Sequence, residues 1–561
     1  MWLCAASSGF SDDVPPVVTT ASGKVRGTVQ YTNDLPDKPV YTFLGIPYAA
    51  PPVGDLRFRA PQPAAPWEGV RDATELGPYC PQDYAMLKGF PAHYHHATFD
   101  EDCLTLNIET PSLGNNAILP VLLWIHGGAL LAGAGGMWPY ASLAAHQDVV
   151  VVTINYRLGP LGFLSTGDEN APGNFGFLDQ VQSMLWVKEN IRNFGGDPDR
   201  ITIFGESAGG ASVCYHVVSP LSKGLFHRAI SQSSVCQTLD VNPQPLERGV
   251  ALAEDLGCET GDTASMVTCL RQASSDDLVA SHRRLQMNLR LQGAELFPFP
   301  PVVDGTYLPG HPNDLLHKGV VNVAQYLLGA NDHEYGFRIP LGTIPNFGQG
   351  MTEEEFLFRL EMLVSRLYPT SKKNDIVAAL REEYQYNPDD SMAIQNQFTH
   401  VYGDQLLVAP TVFVAKKFAD HGQVYLYDNR YVSSVASAGR PDWVGCDHTD
   451  ELVILAGLAF LNPPAVSGDD HRPFSNEDKK TSLYMMAYWA NFARTGNPSD
   501  GTGGPADSPT VPEWPQYTPD NPAYMKLDVT SSADIGLKTQ KMKLWNDVIP
   551  KLVSSSVRDE L

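Results

Sequence analysis

With 561 residues and 39 Lys plus Arg against 63 Asp plus Glu, a formal charge of −24, the chain has no basic run able to track a phosphate backbone. Nucleic acid is therefore not expected as a partner, and the acidity serves solubility. Its 43% hydrophobic, 10% aromatic and 18% charged residues describe an ordinary globular protein rather than a disordered or fibrous one.

In chain order, residues 1–9 of the opening MWLCAASSGF read as the remnant of a secretory signal peptide without its basic start. Between residues 120 and 210, apolar β-type runs alternate with helical segments. PVLLWIHGG is followed by a segment through Ala145, VVVVTINY by a helix over residues 178–193, and then comes ITIFG. Phe177, Leu178, Val181, Leu185, Trp186 and Val187 recur at helical spacing on that helix. Strands alternating with helices predict the α/β class, a large and mostly parallel sheet with helices on both faces. Ligands of such sheets bind beyond the carboxyl ends of the strands. Residues 352–386 read as helical, with Phe356, Leu357, Leu360, Leu363, Val364 and Leu367 on one stripe, and form insertions over the sheet. Residues 500–515, rich in Gly, Pro, Ser and Asp, form a surface loop. No repeat or linker divides the chain, so a single domain is expected over residues 15–553. A tail of residues 554–561 ends Arg558-Asp559-Glu560-Leu561, one residue from the KDEL type of retention signal. The apolar runs at 118–125 and 149–154 fall short of the roughly 20 residues that cross a bilayer, so no membrane span is expected.

None of the eight cysteines lies in a CxxC pair, which excludes a zinc ribbon or a thioredoxin-like motif. The local spacing of Cys80 with Cys103 and of Cys258 with Cys269 would fit loop-closing disulfides in an oxidising compartment without fixing either pairing. Cys214 and Cys236 are expected to be buried thiols, and nothing marks Cys446 as a nucleophile. The tract His93-Tyr94-His95-His96 has no cysteine or carboxylate set to complete a metal site and reads as a solvated loop. No metal and no cofactor are expected.

Chemistry enters at Gly205-Glu206-Ser207-Ala208-Gly209-Gly210. A lone G-x-S-x-G is weak, but here a β-branched run precedes it and a helix over residues 211–218 follows, the setting of a nucleophile elbow. The serine then sits at a helix N-terminus, where free N–H groups and the dipole favour negative charge.

With these residues the chain resembles the type-B carboxylesterases of the α/β-hydrolase superfamily, nearest to the vertebrate liver carboxylesterases. The resemblance runs nearly end to end: FLGIPYA from Phe43 with PPVGDLRF to Phe58, EDCL at 101–104, WIHGG at 124–128, NYRLG at 155–159, FGESAGG at 204–210 and WANFARTGNP at 489–498. It implies a triad of Ser207 as nucleophile, Glu334 as acid and His448 as base, in the chain order of this fold, and favours Glu334 and His448 over the neighbouring His333. It implies an oxyanion hole of the Gly128, Ala129 and Ala208 N–H groups beside Gly127, and the disulfides Cys80–Cys103 and Cys258–Cys269, hence a setting in the endoplasmic reticulum lumen or a secreted one. The expected function is hydrolysis of carboxyl esters of broad class, amides and thioesters included, through an acyl-serine, with small-molecule esters as partners. A homo-oligomer and a retention receptor for Arg558, Asp559, Glu560 and Leu561 stay open.

Three other readings compete with ester hydrolysis of broad class. Cholinesterases place a tryptophan before EDCL, for a quaternary ammonium group that needs aromatic faces. Here residues 80–103 carry Tyr84, Phe90, Tyr94 and Phe99 but no tryptophan. A bile-salt-activated lipase would carry a proline-rich repeat tail. Neuroligin-like adhesion modules typically lack triad members, all of which are present here. One departure from the family pattern is Ala129 in place of the third glycine of an HGGG turn. Its N–H survives, but its methyl narrows the pocket at the carbonyl. Esters of bulky alcohols should therefore turn over more slowly than those of small alcohols; equal rates on a primary and a tertiary alcohol ester contradict this.

Overall fold

The computed structural model describes residues 14–84, 98–291, 297–341, 344, 346–368, 370–435, 439–461 and 473–559. Its frame is an 11-stranded mixed sheet. From one edge to the other the strands are Ser532–Ile535, Ala523–Leu527, Gln423–Asn429, Gln325–Asn331, Arg228–Gln232, Gly196–Glu206, Leu119–Ile125, Val150–Ile154, Thr105–Thr110, Val40–Pro47 and Thr28–Gln30. The run from Ala523–Leu527 to Val150–Ile154 is parallel throughout, and the antiparallel pairings lie at the edges.

Strands buried on both faces read as continuous apolar runs rather than alternating ones. Leu119–Ile125 shows why: Val121, Leu123 and Ile125 enter one core, while Leu122 and Trp124 enter the other. The first core is covered by the helices Phe175–Asn190 and Ala208–Val218, the second by Ala141–Gln147 and Asn476–Thr495. Leu185 leaves the stripe expected of its helix and is exposed, whereas Phe177, Val181, Trp186 and Val187 are buried. The segment expected to be helical over residues 352–386 is two helices, Glu353–Leu367 and Lys373–Glu383. The Thr352 side chain caps the first by accepting from Glu355 N–H at 3.1 Å. No helix among the described residues is long and apolar enough to cross a membrane. The His93–His96 tract, residues 1–9, Phe90, Tyr94, Glu560 and Leu561 lie outside the described residues.

Disulfides join Cys80 to Cys103 and Cys258 to Cys269. A third corrects the expectation of two buried thiols: Cys214 is bonded to Cys236, with their Cα atoms 5.3 Å apart. Topology brings them together. The strands that end at Glu206 and Gln232 are parallel neighbours in register, so the helix leaving one and the turn leaving the other run side by side. Cys446 remains a buried free thiol. Closing a loop of 22 residues stabilises by about 3 kcal/mol in the chain-entropy account. Non-reducing peptide mapping should recover a Cys214–Cys236 cross-link, and the double variant Cys214→Ala/Cys236→Ala should unfold at lower denaturant concentration than the parent.

Candidate active site

The strand Gly196–Glu206 ends in a turn that only its glycines permit. A Cβ on Gly205 would lie 2.6 Å from the Gly209 carbonyl, and one on Gly209 would lie 2.0 Å from the Ile125 oxygen. Between them Ser207 adopts φ 56° and ψ −127°, a conformation costing on the order of 1–3 kcal/mol that surrounding structure must hold. Ser207 N–H donates to the Gln232 oxygen at 2.9 Å, and Ser207 O accepts from Ala211 N–H at 3.0 Å. Strand and helix are buried on either side, yet Ser207 itself is only half-buried.

The other two residues of the expected triad leave the same edge of the sheet. Glu334 follows the strand Gln325–Asn331, and His448 follows Gln423–Asn429 after a longer excursion. The structure brings all three together: Ser207 Oγ is 2.9 Å from His448 Nε2, and Glu334 Oε2 is 2.6 Å from His448 Nδ1. Glu334 Oε1 accepts from Asn331 N–H at 2.7 Å, so both its oxygens are engaged. With Nδ1–H donated to Glu334, Nε2 is free to accept the Ser207 hydroxyl proton. His333 is turned away, with Nε2 on Thr399 Oγ1 at 2.7 Å and Nδ1 accepting from Gly445 N–H at 3.1 Å.

Two further carboxylates, which the reading of the sequence did not single out, line the site. Glu206 Oε1 is 3.2 Å from His448 Nε2. Glu451 accepts from Asn331 Nδ2 at 2.8 Å and from Gln232 Nε2 at 3.1 Å. A signal existed: both residues stand inside the motifs that carry the serine and the histidine. Burial pushes Glu206 up to about 8, with Glu451 and Glu334 adding repulsion. Burial and the adjacent Glu334 likewise push Glu451 up to about 7. For His448, burial alone would lower the value, but Glu206 and Glu334 outweigh it and raise it above the ordinary imidazole value.

Opposite the serine, the loop after Leu119–Ile125 folds onto the elbow. A Cβ on Gly127 would sit 3.0 Å from Ser207 Cβ, and one on Gly128 would sit 2.1 Å from the Ala132 oxygen. Gly128 O accepts from Leu131 and Ala132 N–H at 2.9 and 3.0 Å. Gly128, Ala129 and Leu130 all have positive φ, 100°, 62° and 59°. That conformation costs the alanine and the leucine on the order of 1–2 kcal/mol each. Among the described residues, the N–H groups of Gly128, Ala129 and Ala208 have no hydrogen-bond acceptor. No group of three His, Cys, Asp or Glu among those residues could hold a metal ion.

The Carboxylesterase family model matches residues 14–545. The chain belongs to that family. It is 39% identical to rat carboxylesterase 1D over 98% of this chain and 96% of the relative. It is 39% identical to pig liver carboxylesterase over 96% and 94%, and 38% identical to mouse acylcarnitine hydrolase over 97% and 93%. The family's fold is the α/β-hydrolase fold, and the large sheet flanked by helices is its frame.

The Glu206 carboxylate beside Nε2 favours the charged form of the imidazole. The variant Glu206→Gln should move the acid limb of the pH profile of kcat/KM to lower pH by about one unit, because the neutral imidazole then persists further into acid; an unmoved limb contradicts the assignment.

Proposed function

We propose that the protein is a serine hydrolase of carboxyl esters of broad class that works through an acyl-enzyme, with Ser207 as nucleophile, His448 as general base and Glu334 as the carboxylate that orients it. The observation that carries this reading is the pair of contacts on His448, 2.9 Å to Ser207 Oγ and 2.6 Å to Glu334 Oε2. A serine hydroxyl is a poor nucleophile until a base takes its proton. As Ser207 Oγ attacks the ester carbonyl, His448 Nε2 accepts that proton, and Glu334 and Glu206 stabilise the imidazolium. The tetrahedral oxygen is held by the Gly128, Ala129 and Ala208 N–H groups, which have no competing acceptor. His448 then protonates the departing alcohol, and a water activated by the same nitrogen hydrolyses the acyl-serine.

Amides, thioesters, and lipid or xenobiotic esters extend the substrate class. The name acylcarnitine hydrolase, borne by a relative 38% identical, supports including esters of charged alcohols. The adhesion reading is not favoured. Residues 15–553 act as one catalytic unit in this reading. An oxidising compartment is supported by three disulfides, and lumenal retention by the Arg558–Leu561 sequence.

The test is hydrolysis of para-nitrophenyl acetate and butyrate by purified protein beside Ser207→Ala, with the site of a fluorophosphonate label found by mass spectrometry. Activity should fall by on the order of 10⁵–10⁶ in the variant, and the label should sit on Ser207. A folded parent that neither turns over nor labels refutes the reading.

A further inference from the structure

Glu334 and His448 sit on loops from different strands, and the 2.6 Å contact between them requires those loops to be held at a fixed separation. The residues just before each one do this. Asp332 Oδ1 accepts from Cys446 N–H at 2.8 Å. His333 N–H donates to Cys446 O at 3.0 Å, and the His333 ring accepts from Gly445 N–H at 3.1 Å. The fit leaves no slack: a Cβ on Gly445 would lie 2.8 Å from Asp332 Oδ1.

The clasp is anchored from behind. Lys538, in the C-terminal part of the chain, donates to the Asp332 main-chain oxygen at 3.2 Å and to Asp404 Oδ1 at 2.6 Å. Asp404 Oδ2 accepts from Tyr384 OH at 2.9 Å, which in turn accepts from Trp545 Nε1 at 2.8 Å. The His333 ring stacks on His400 with centroids 4.2 Å apart, and burial first, then His400, Lys538 and Arg440, disfavour its protonation. The Asp332 carboxyl faces Asp428 and Arg430 besides Lys538; burial first, then Asp428, push it up to about 6. Neither Asp332 nor Lys538 touches Ser207, His448 or Glu334, so nothing in the mechanism uses them.

We propose that Asp332 is a positioning residue of the triad, whose side-chain oxygen ties the base loop at Cys446 to the acid loop, with Lys538 fixing its backbone from the C-terminal segment. This rests on the hydrolase reading. The role asks for a hydrogen-bond acceptor at this position and not for a full charge, because the partner is a backbone N–H. If the clasp loosens, Glu334 holds the imidazolium less well, and the histidine gives up its proton more readily.

Three variants test it: Asp332→Asn keeps an acceptor of the same shape, Asp332→Ala removes it, and Lys538→Met removes the anchor. Each is assayed on para-nitrophenyl butyrate across pH, with circular dichroism and thermal melting in parallel. Asp332→Ala should lose on the order of 10²-fold in kcat with KM little changed, and its acid limb should move to lower pH. Lys538→Met should show the same pattern more weakly, and Asp332→Asn should stay close to the parent in both respects. The proposal is overturned if Asp332→Ala or Lys538→Met is folded with parental kcat and an unmoved limb, whatever the melting temperature. It is also overturned if the isosteric Asp332→Asn loses as much as a removal. If Asp332→Ala does not fold, the other two variants decide. A parent that is itself inactive and unlabelled defeats the hydrolase reading instead, so the two failures are told apart.

Discussion

A histidine buried among carboxylates is the constraint on which the rest of this structure depends. His448 is 7% exposed and Glu334 1%, and taking each charge out of water costs several kcal/mol unless partners replace the solvent. The replacement is dense. Glu334 is engaged at both oxygens, Glu451 by Asn331 and Gln232, and Gln232 in turn by Trp489 Nε1 at 3.1 Å. Asn331 is the hub: its Nδ2 also donates to Asp447 O at 2.7 Å, and its Oδ1 accepts from Asn429 Nδ2 at 2.9 Å. Each hydrogen bond in such a low-dielectric network strengthens the geometry of the others.

The sheet makes this density attainable. Parallel strands deliver their carboxyl ends to one edge, so Glu206, Gln232, Asn331 and Asn429 end adjacent strands within a few residues of register. Polar groups gather there while the strand bodies stay apolar on both faces. Strain is concentrated at the same edge, in the positive φ of Ser207, Ala129 and Leu130. The cores on both sides hold these conformations in place, and the strained residues of the two loops meet where a Cβ on Gly127 would lie 3.0 Å from Ser207 Cβ.

The cluster also bears on what the site can accept. Glu206, Glu334 and Glu451 surround one imidazole, and Asp447 lies beside it, accepting from Phe337 and Arg338 N–H at 3.0 and 2.8 Å. Burial pushes several of these carboxyls toward neutrality, while Glu206 and Glu334 draw the value of His448 upward.

The sequence by itself determined the fold class and the three residues that meet in the site. Apolar runs alternating with helical spacing are local patterns, and the glycines around Ser207 report a turn that no other residue could make. It also carried the Ala129 departure, since a single residue changes a motif visibly. What it could not carry was pairing across the fold. Cys214 and Cys236 gave no sign of bonding, because their meeting depends on two strands being parallel neighbours. Leu185 looked like core, because its solvent exposure depends on which way the helix faces. Glu206 and Glu451 stood in plain view within known motifs, but their weight comes from burial beside one imidazole, and burial is a property of everything packed around a residue. The tie from Lys538 through Asp332 to Cys446 joins segments 206 and 114 residues apart in the chain, and only tertiary structure decides such a contact, because no local preference of a chain encodes distance through space.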